Sequence, residues 1–481
     1  MFERRESSQP KQEQFWVDTR SLPRATPNVF YRKLDEALRG MGFAESIRAI
    51  CEASYANAEK GGRPGIDPAV YFKMLVIGFF ENLPSERAIA NRCADSLSLR
   101  AFLGYGLDED TPDHSSLSVI RNRLDLDQFR RGHEVVLAGL RKAGLLKGRH
   151  LGIDSSVMEA NASLRELQNR NTGEDYHEYV QQLAAEAGIN PDDAKAVRRF
   201  DRKRKGRKTS NEEWFNPHDP EAKVGRDKHG ATDMLYKPEH ITDLESGAII
   251  RAEVRAGDAG DTTGLAERIE DATEILDRVH QAAGDTTRVP DRSVTGDEGY
   301  FSAEQTAALH EQGLRVIIGD PQASKRSPKK QNSRIRKALA KAKRAVKSKG
   351  GKKLLRKRGE YVERSFVHVL DQGGMRRASL RGRENLSKRH HVAAMGYNLS
   401  ILMRKCFGIG TPKQWLAAAA AILAWIFDRI RTLWSTIRTF WDINPKNPLH
   451  GKLSSTGFGP LALSVPSVSY THLRAHETEA D

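Results

Sequence analysis

Two aspartates, Asp154 and Asp297, each close a short apolar stretch, "HLGID" at 150–154 and "SVTGD" at 293–297, and small or turn-forming residues follow both. An ionised carboxylate at the end of a buried strand carries a heavy desolvation cost unless a cation or hydrogen-bond donors answer it. In an open α/β sheet, ligands bind at the C-terminal edge of the strands, so two such aspartates would aim at one point. They would also repel each other. A pair of divalent cations relieves that repulsion, and Mg²⁺ (or Mn²⁺) prefers hard oxygen ligands, with water and substrate phosphate completing its shell. One further acid on a nearby helix would complete the site. The segment "GEYVERSFVHVL" supplies Glu363 on a predicted helix or its first turn, 66 residues beyond Asp297.

The elements that must position these acids follow from the hydrophobic pattern. The stretch "VFYRKLDEALRGMGFAESIRAICEA" suits two short helices. In "DPAVYFKMLVIGFF", Asp67 is the expected N-cap and Pro68 the first helical residue of a helix apolar nearly all round, and therefore central. "LPSERAIANRCADS" opens a helix at Pro84 or Ser85, "SLRAFLG" closes one at Gly104, and "TPDHSSLSVIRNRL" offers Thr111 as cap with Pro112 in the first turn. Four short helices in this region read as a helix-turn-helix type bundle; a helical cap or dimerisation domain is the alternative. Residues 164–230 are highly charged and poor in apolar periodicity, and read as an insertion or flexible connection. "MLYKPEHITDLESGAIIRAEVR" alternates as a β-hairpin turning at Asp243 to Gly247. A helix in "TTGLAERIEDATEILDRVHQAA", a strand ending at Asp297, a helix closed by Gly313 and a strand "LRVIIGD" follow. That order predicts a mixed α/β sheet.

Charge points to a polyanionic partner. Lys and Arg number 78 against 63 Asp and Glu, a net charge of +15. Seventeen of those cations lie between Ser324 and Arg358 with no acid among them, so the basicity is one segment. In "IRKALAKAKRAVKSK" the apolar residues fall three to four apart, as in an amphipathic helix with its cations outside. Uncompensated cations at that density suit DNA-backbone contact, through Lys329, Lys330, Arg334, Arg336, Lys337, Lys341, Lys343 and Arg344. Base reading falls to the N-terminal helices, with Arg121, Asn122 and Arg123 as candidates; a surface helix without special role is the alternative there. Cys51, Cys93 and Cys406 form neither a disulfide framework nor a zinc pattern, which fits a reducing cytoplasm. The N-terminus has no secretory h-region. The longest apolar run, Trp415 to Phe427, is 13 residues where a bilayer needs about 20, so it reads as a buried or amphipathic helix and no membrane partner is expected. The tryptophans around it suit helical packing or a dimer surface. His390 and His391, being adjacent, lack the spacer of a His metal pair and read as core.

Together "GIDSSVMEANAS", "DPEAKVGRDKHGATDMLYKPEHITDLESGAII", "GDEGYFS", "VERSF" and "DPAVYFKMLVIGFFENLPSERAIA" resemble the DDE-type insertion-sequence transposases, over roughly residues 15 to 410. The resemblance implies an RNase H-like mixed-sheet core, an N-terminal all-α helix-turn-helix-like domain and a helical C-terminal part. It implies an N-terminal DNA-binding domain at 15–145, a catalytic domain at 146–405 with charged insertions at about 164–230 and 323–358, and a helical segment at 406–467. The family's first Asp with its Ala-Asn-Ala-Ser tail falls on Asp154 and Asn161, its Asp-x-Gly-Tyr on Asp297 to Tyr300, and its Val-Glu-Arg on Glu363. Those three acids are then the metal ligands. The Tyr-x2-Arg-x3-Glu-x6-Lys signature of related transposases is not met around Glu363: Arg356, Gly359 and Leu370 stand at its Tyr, Arg and Lys positions, and Glu384 in "LRGRENLSKRHH" is the fallback acid.

The implied activity is two-metal cleavage at transposon ends and strand transfer into target DNA. Double-stranded DNA, a second copy of the chain in the active complex, and a bacterial, nucleoid-associated cytoplasmic setting go with it. The alternatives are a catalytically inactive DNA-binding protein derived from a transposase, and a stand-alone metal-dependent nuclease, which would cut without joining. "VSYTHLRAHET", at 468–478, resembles a reading frame of a sequencing-library adapter, so 468–481 is expected to be non-native.

Overall fold

A computed structural model describes residues 28–55, 65–106, 108–204, 211–226, 230–287, 291–323 and 332–443. Seven helices come first: α1 (Val29–Gly40), α2 (Phe43–Tyr55), α3 (Pro68–Glu81), α4 (Glu86–Asp95), α5 (Leu97–Leu103), α6 (His114–Arg123) and α7 (Leu126–Lys142). As its composition requires, α3 lies in the middle, burying Tyr71, Phe72, Met74, Val76 and Ile77 among the other helices. Asp67 caps α3 and Ser85 caps α4. The cap of α6 is Asp113 rather than Thr111: its carboxylate accepts the Ser116 N–H at 2.7 Å. A carboxylate answers both the free amides and the positive end of the helix dipole, and Pro112 stays outside the helix.

The sheet is built from β1 (His150–Ser155), β2 (Met158–Glu159), β5 (Lys223–Arg226), β6 (Thr232–Asp243), β7 (Ile249–Ala256), β8 (Ser293–Thr295) and β9 (Arg315–Ile317); β3 (Gln168–Asn169) and β4 (Trp214–Phe215) pair separately. Its main order is β7-β6-β1-β8-β9, with β7, β6 and β1 antiparallel to their neighbours and β8 and β9 added parallel to β1. An antiparallel meander extended by two parallel strands is the RNase H-like arrangement. Strand side chains alternate between faces. One face packs Leu151, Ile153, Ile241, Val294 and Val316 with α10 (Leu265–Ala282) and α11 (Ala303–Glu311). The other packs Leu244, Ile249 and Ile317 with α12 (Ser333–Lys347), α13 (Lys349–Phe366) and α14 (Arg383–Phe407).

The secondary structure changes near residue 145, but the chain up to Trp415 is one compact unit. Helix α7 is the reason. Its Phe129 and Val136 belong to the helical core and its Leu137 and Leu140 to the core beneath the sheet.

Two charged segments differ from expectation. Residues 164–230 are not a loose connection where they are described, for they hold β3, β4, β5, α8 (Tyr176–Glu186) and α9 (Ala194–Lys203). A few large residues suffice: the Trp214 ring lies 5.0 Å from Tyr176 and 5.4 Å from Tyr179, and β5 joins the sheet through β6. The basic run is likewise regular and packed where it is described. Ala338, Ala342 and Ala345, one helical turn apart, bury one side of α12, and α13 lies on the sheet itself. Glu363 therefore falls near the C-terminal end of an 18-residue helix rather than in a first turn. Lys329 and Lys330 lie outside the described residues, as does the adapter-like tail.

Leu416–Asp481 form a second unit, in which α15 (Pro412–Ile443) runs on from the first. Its described apolar residues are not buried: Leu423, Trp425, Ile426, Phe427, Ile430, Leu433 and Trp434 are all exposed. Among the described residues, no helix is long and apolar enough to cross a membrane.

Candidate active site

Strands β1 and β8 set the two aspartates side by side. The parallel pairing of β1 and β8 runs as far as Gly152 and Thr295, so Asp154 and Asp297 each lie two residues beyond the last pair, at the C-terminal edge of neighbouring strands. Gly296, between Thr295 and Asp297, packs closely: a β-carbon there would lie 3.3 Å from Tyr300 Cβ and 3.4 Å from Ile153 Cγ2. Asp154 is half-buried. Its Oδ1 accepts the Ser155 N–H at 2.8 Å, and its Oδ2 accepts Nη1 of Arg358 at 2.7 Å. Asp297 caps a short 3-10 turn, its Oδ1 accepting the N–H groups of Gly299 at 3.0 Å and Tyr300 at 3.3 Å.

Arg358 arrives on α13, which crosses the sheet. Lys357 Nζ donates to the Leu244 carbonyl at 3.1 Å, Val362 lies over Gly152, and the Ser365 hydroxyl meets His240 Nδ1 at 2.7 Å. The crossing is close because residue 152 is glycine: a β-carbon there would fall 2.5 Å from Leu244 Cδ2 and 3.2 Å from Val362 Cγ2. His240 is the cross-strand partner of Asp154, and the Phe366 ring stacks on it with centroids 4.3 Å apart. Glu363 is exposed on α13, one residue past Val362 and one turn before Phe366. Thus Asp154 and Asp297 stand at the same edge of adjacent strands, and Glu363 stands on the helix that crosses them. Among the described residues, no group of three or more His, Cys, Asp or Glu is gathered closely enough to hold an ion. Glu384 opens α14 and pairs with Lys388 at 2.8 Å, and Asn161 receives Arg381 on its carbonyl at 3.3 Å.

A second layer of charge braces the edge from the opposite face. Ser155 donates its hydroxyl to Asp261 at 2.9 Å, and Lys237 pairs with the same carboxylate at 2.7 Å. Asp261 and Asp297 flank one glycine, their oxygens lying 3.9 Å and 3.1 Å from where a β-carbon on Gly299 would be. Beneath them Glu239 is buried with Arg268 at 2.9 Å, Arg255 at 3.1 Å and Arg251 at 3.6 Å, and accepts the Tyr300 hydroxyl at 3.4 Å. Burial, then the Glu239 charge, push the Tyr300 hydroxyl far above the usual phenol range, so it remains a donor.

The basic residues divide by neighbourhood. Arg336, Lys337, Lys341, Lys343 and Arg344 are exposed on α12, while Arg334 is paired with Glu311. Arg336 and Lys343 line one side of a cavity of about 380 Å³ whose other side is Glu298, Phe301, Gly319 and Asp320, so the basic helix borders the turn after Asp297. Arg121 is half-buried and bound to Glu86. Asn122 and Arg123 are exposed, with the Arg123 guanidinium 4.9 Å over the Tyr55 ring.

Three residues of this site carry no strong sequence signal. Arg358 was hidden in the cationic run, although its i, i+4 relation to Val362 puts both on the buried face of α13. Asp261 sits in a loop and Glu239 in a strand, and their partners are remote in sequence.

Residues 20–123 match the family described as Transposase domain (DUF772), and residues 193–399 match the family described as Transposase DDE domain. No curated protein matches the chain. Among solved structures, a pre-cleavage Mos1 transpososome is 11% identical, covering 65% of this chain and 81% of that one, with a TM-score of 0.19. A Mos1 transposase paired-end complex with left transposon end is 12% identical over the same shares, with a TM-score of 0.17. Scores that low carry no part of the assignment, which rests on the family matches; these span well over half of the 481 residues, and by them the chain belongs to the DDE transposases.

Proposed function

We propose that Asp154, Asp297 and Glu363 are the catalytic acids of this transposase and hold Mg²⁺ or Mn²⁺, as two ions, for cleavage at transposon ends and joining to target DNA. Divalent metal use is a property of the DDE family. The observation that supports the residue assignment is the parallel pairing of β1 and β8, from whose shared C-terminal edge Asp154 and Asp297 both follow two residues after the last pair. Their chemistry suits the metal: both are hard oxygen donors, and the Asp154 seat already accommodates the positive charge of Arg358. When bound, such ions activate a water or a DNA 3′-hydroxyl and stabilise the leaving oxygen.

The chain's own residues do the positioning. Backbone amides of Ser155, Gly299 and Tyr300 fix one oxygen of each aspartate, while the second oxygen of Asp154 carries Arg358. Tyr300, held by Glu239, anchors the turn that Asp297 caps. Glu363 closes the site from α13. Exposed Arg336, Lys337, Lys341, Lys343 and Arg344 hold the DNA backbone next to that edge, together with Arg334. Asn122 and Arg123 are the N-terminal contacts, while Arg121 serves its own helix pair with Glu86. The apolar residues of α15, spaced three and four apart from Leu423 to Trp434, pair two copies of the chain.

Asp154→Ala and Asp297→Ala should each abolish Mg²⁺-dependent cleavage of end-containing DNA while DNA binding persists; cleavage that survives either change defeats the assignment. Glu363→Gln compared with Glu384→Gln decides the third acid, since only the true ligand loses cleavage. Products joined to target DNA, and not merely cut, separate a transposase from a nuclease.

A further inference from the structure

Arg358 and Asp154 form an ion pair whose side chains are only 15% and 21% exposed. They are 204 residues apart in sequence. Among the described residues the only hydrogen-bond acceptor of Arg358 is Asp154 Oδ2, and its Nε is buried without a partner. Around Glu239, Arg251 and Arg268 also hold a buried nitrogen without a hydrogen-bond partner, but these arginines have more acceptors: Arg268 donates to the Thr263 and Asp261 carbonyls, and Arg255 to Glu239 and the Gly260 carbonyl. A guanidinium offers five donors in a rigid fork, and Arg358 satisfies one acceptor. It is therefore a cation held by a single contact, at the rim of the site, on the oxygen that the proposed metal assignment requires.

We infer that Arg358 is an internal counter-cation of Asp154, which competes with the divalent ion for that carboxylate and is drawn off by a DNA phosphate. The inference rests on Asp154 being a metal ligand. Two cations cannot share one half-buried carboxylate oxygen without strong repulsion. A phosphate is the better partner for a guanidinium, since it accepts two parallel N–H bonds where Asp154 takes one here. Entry of DNA then frees Asp154 at the moment metal is needed. By linkage, metal binding must favour DNA binding by the same factor. The device keeps the acid edge charge-balanced in the absence of substrate, and makes the metal site competent only where there is a phosphodiester to act on.

The test is Mn²⁺ affinity of the full chain, followed by electron paramagnetic resonance, with and without a short DNA duplex and with a DNA-only blank. The wild-type protein should bind Mn²⁺ about tenfold more tightly when DNA is present. Arg358→Gln should gain about that factor without DNA and nothing more with it. Arg358→Lys, which keeps the cation but not the fork, should match wild type without DNA and gain less than wild type when DNA is added. A glutamine variant no tighter than wild type in the absence of DNA overturns the inference. Should that variant not fold, as judged by circular dichroism, Arg358→Met takes its place, and a wild-type protein with no DNA-dependent gain overturns the inference without any variant. Asp154→Asn is the separate control: unchanged Mn²⁺ affinity there would refute the ligand assignment, whereas lost affinity there with no gain in Arg358→Gln would refute only the role of Arg358.

Discussion

Glu239 and Asp154 are one rung apart on the same ladder, for Glu239 pairs with Ser155 and His240 with Asp154, yet their side chains leave the sheet on opposite faces. Glu239 is sealed: three arginines and a tyrosine close on a carboxylate with no exposed surface. Asp154 has one arginine, and an open edge beside it. A buried charge with many fixed partners is a structural brace, because removing any one partner leaves the rest uncompensated. A charge whose counter-cation can be exchanged is a site. The same residue chemistry thus does two jobs within one strand pair, separated by the alternation of side chains along β1 and β6.

The sharpest way to break this contrast is Asp154→Asn. Cleavage of end-containing DNA should fall by about 10³-fold or more, while the urea midpoint shifts less than for any change at Glu239. Equal losses of stability at both positions would erase the distinction. Glu239→Gln should cost about 3 to 5 kcal/mol in urea unfolding, since Arg251, Arg255 and Arg268 lose their common counter-charge.

The histidines on the Asp154 side sharpen the comparison by pH. His133, His240, His390 and His391 are buried, and burial pushes His133 down to about 4 and His390 to about 3. Their folded pKa values lie below the unfolded value of 6.5, so the unfolded chain binds more protons as pH falls between the two. Stability should be fully present above about pH 6.5 and decline towards pH 4, by up to about 1.4 kcal/mol per pH unit for each buried histidine. Urea midpoints measured from pH 7.5 to 5 check this; a flat profile would mean that these rings are hydrated. The smallest effect belongs to the open surface. Lys341→Ala should leave folding and chemistry intact and reduce the slope of log affinity for DNA against log salt by about 0.9.

The sheet and its two aspartates were legible because strands announce themselves locally: apolar runs ending in Asp154 and Asp297 needed no knowledge of their neighbours. So too were Asp67, Ser85 and Gly104 as helix punctuation. What escaped was whatever depended on a remote partner. The segment 164–230 looks unstructured until Trp214 is set against Tyr176 and Tyr179. Arg358 looks like one more DNA-binding cation until α13 is laid across β1. The Trp415–Phe427 run read as buried or amphipathic from its hydropathy, yet its described apolar side chains face solvent within this chain. Composition gives the tendency to be covered, not the identity of the cover.

Gly152 carries no charge and touches no proposed ligand, yet the clearance between helix and sheet is set by the methyl group it lacks. An alanine there would drive into the Leu244 side chain and press on Val362, the α13 residue one turn after Arg358 and next to Glu363. The reach of two charged side chains to their target is thereby governed by a single hydrogen atom in the floor beneath them.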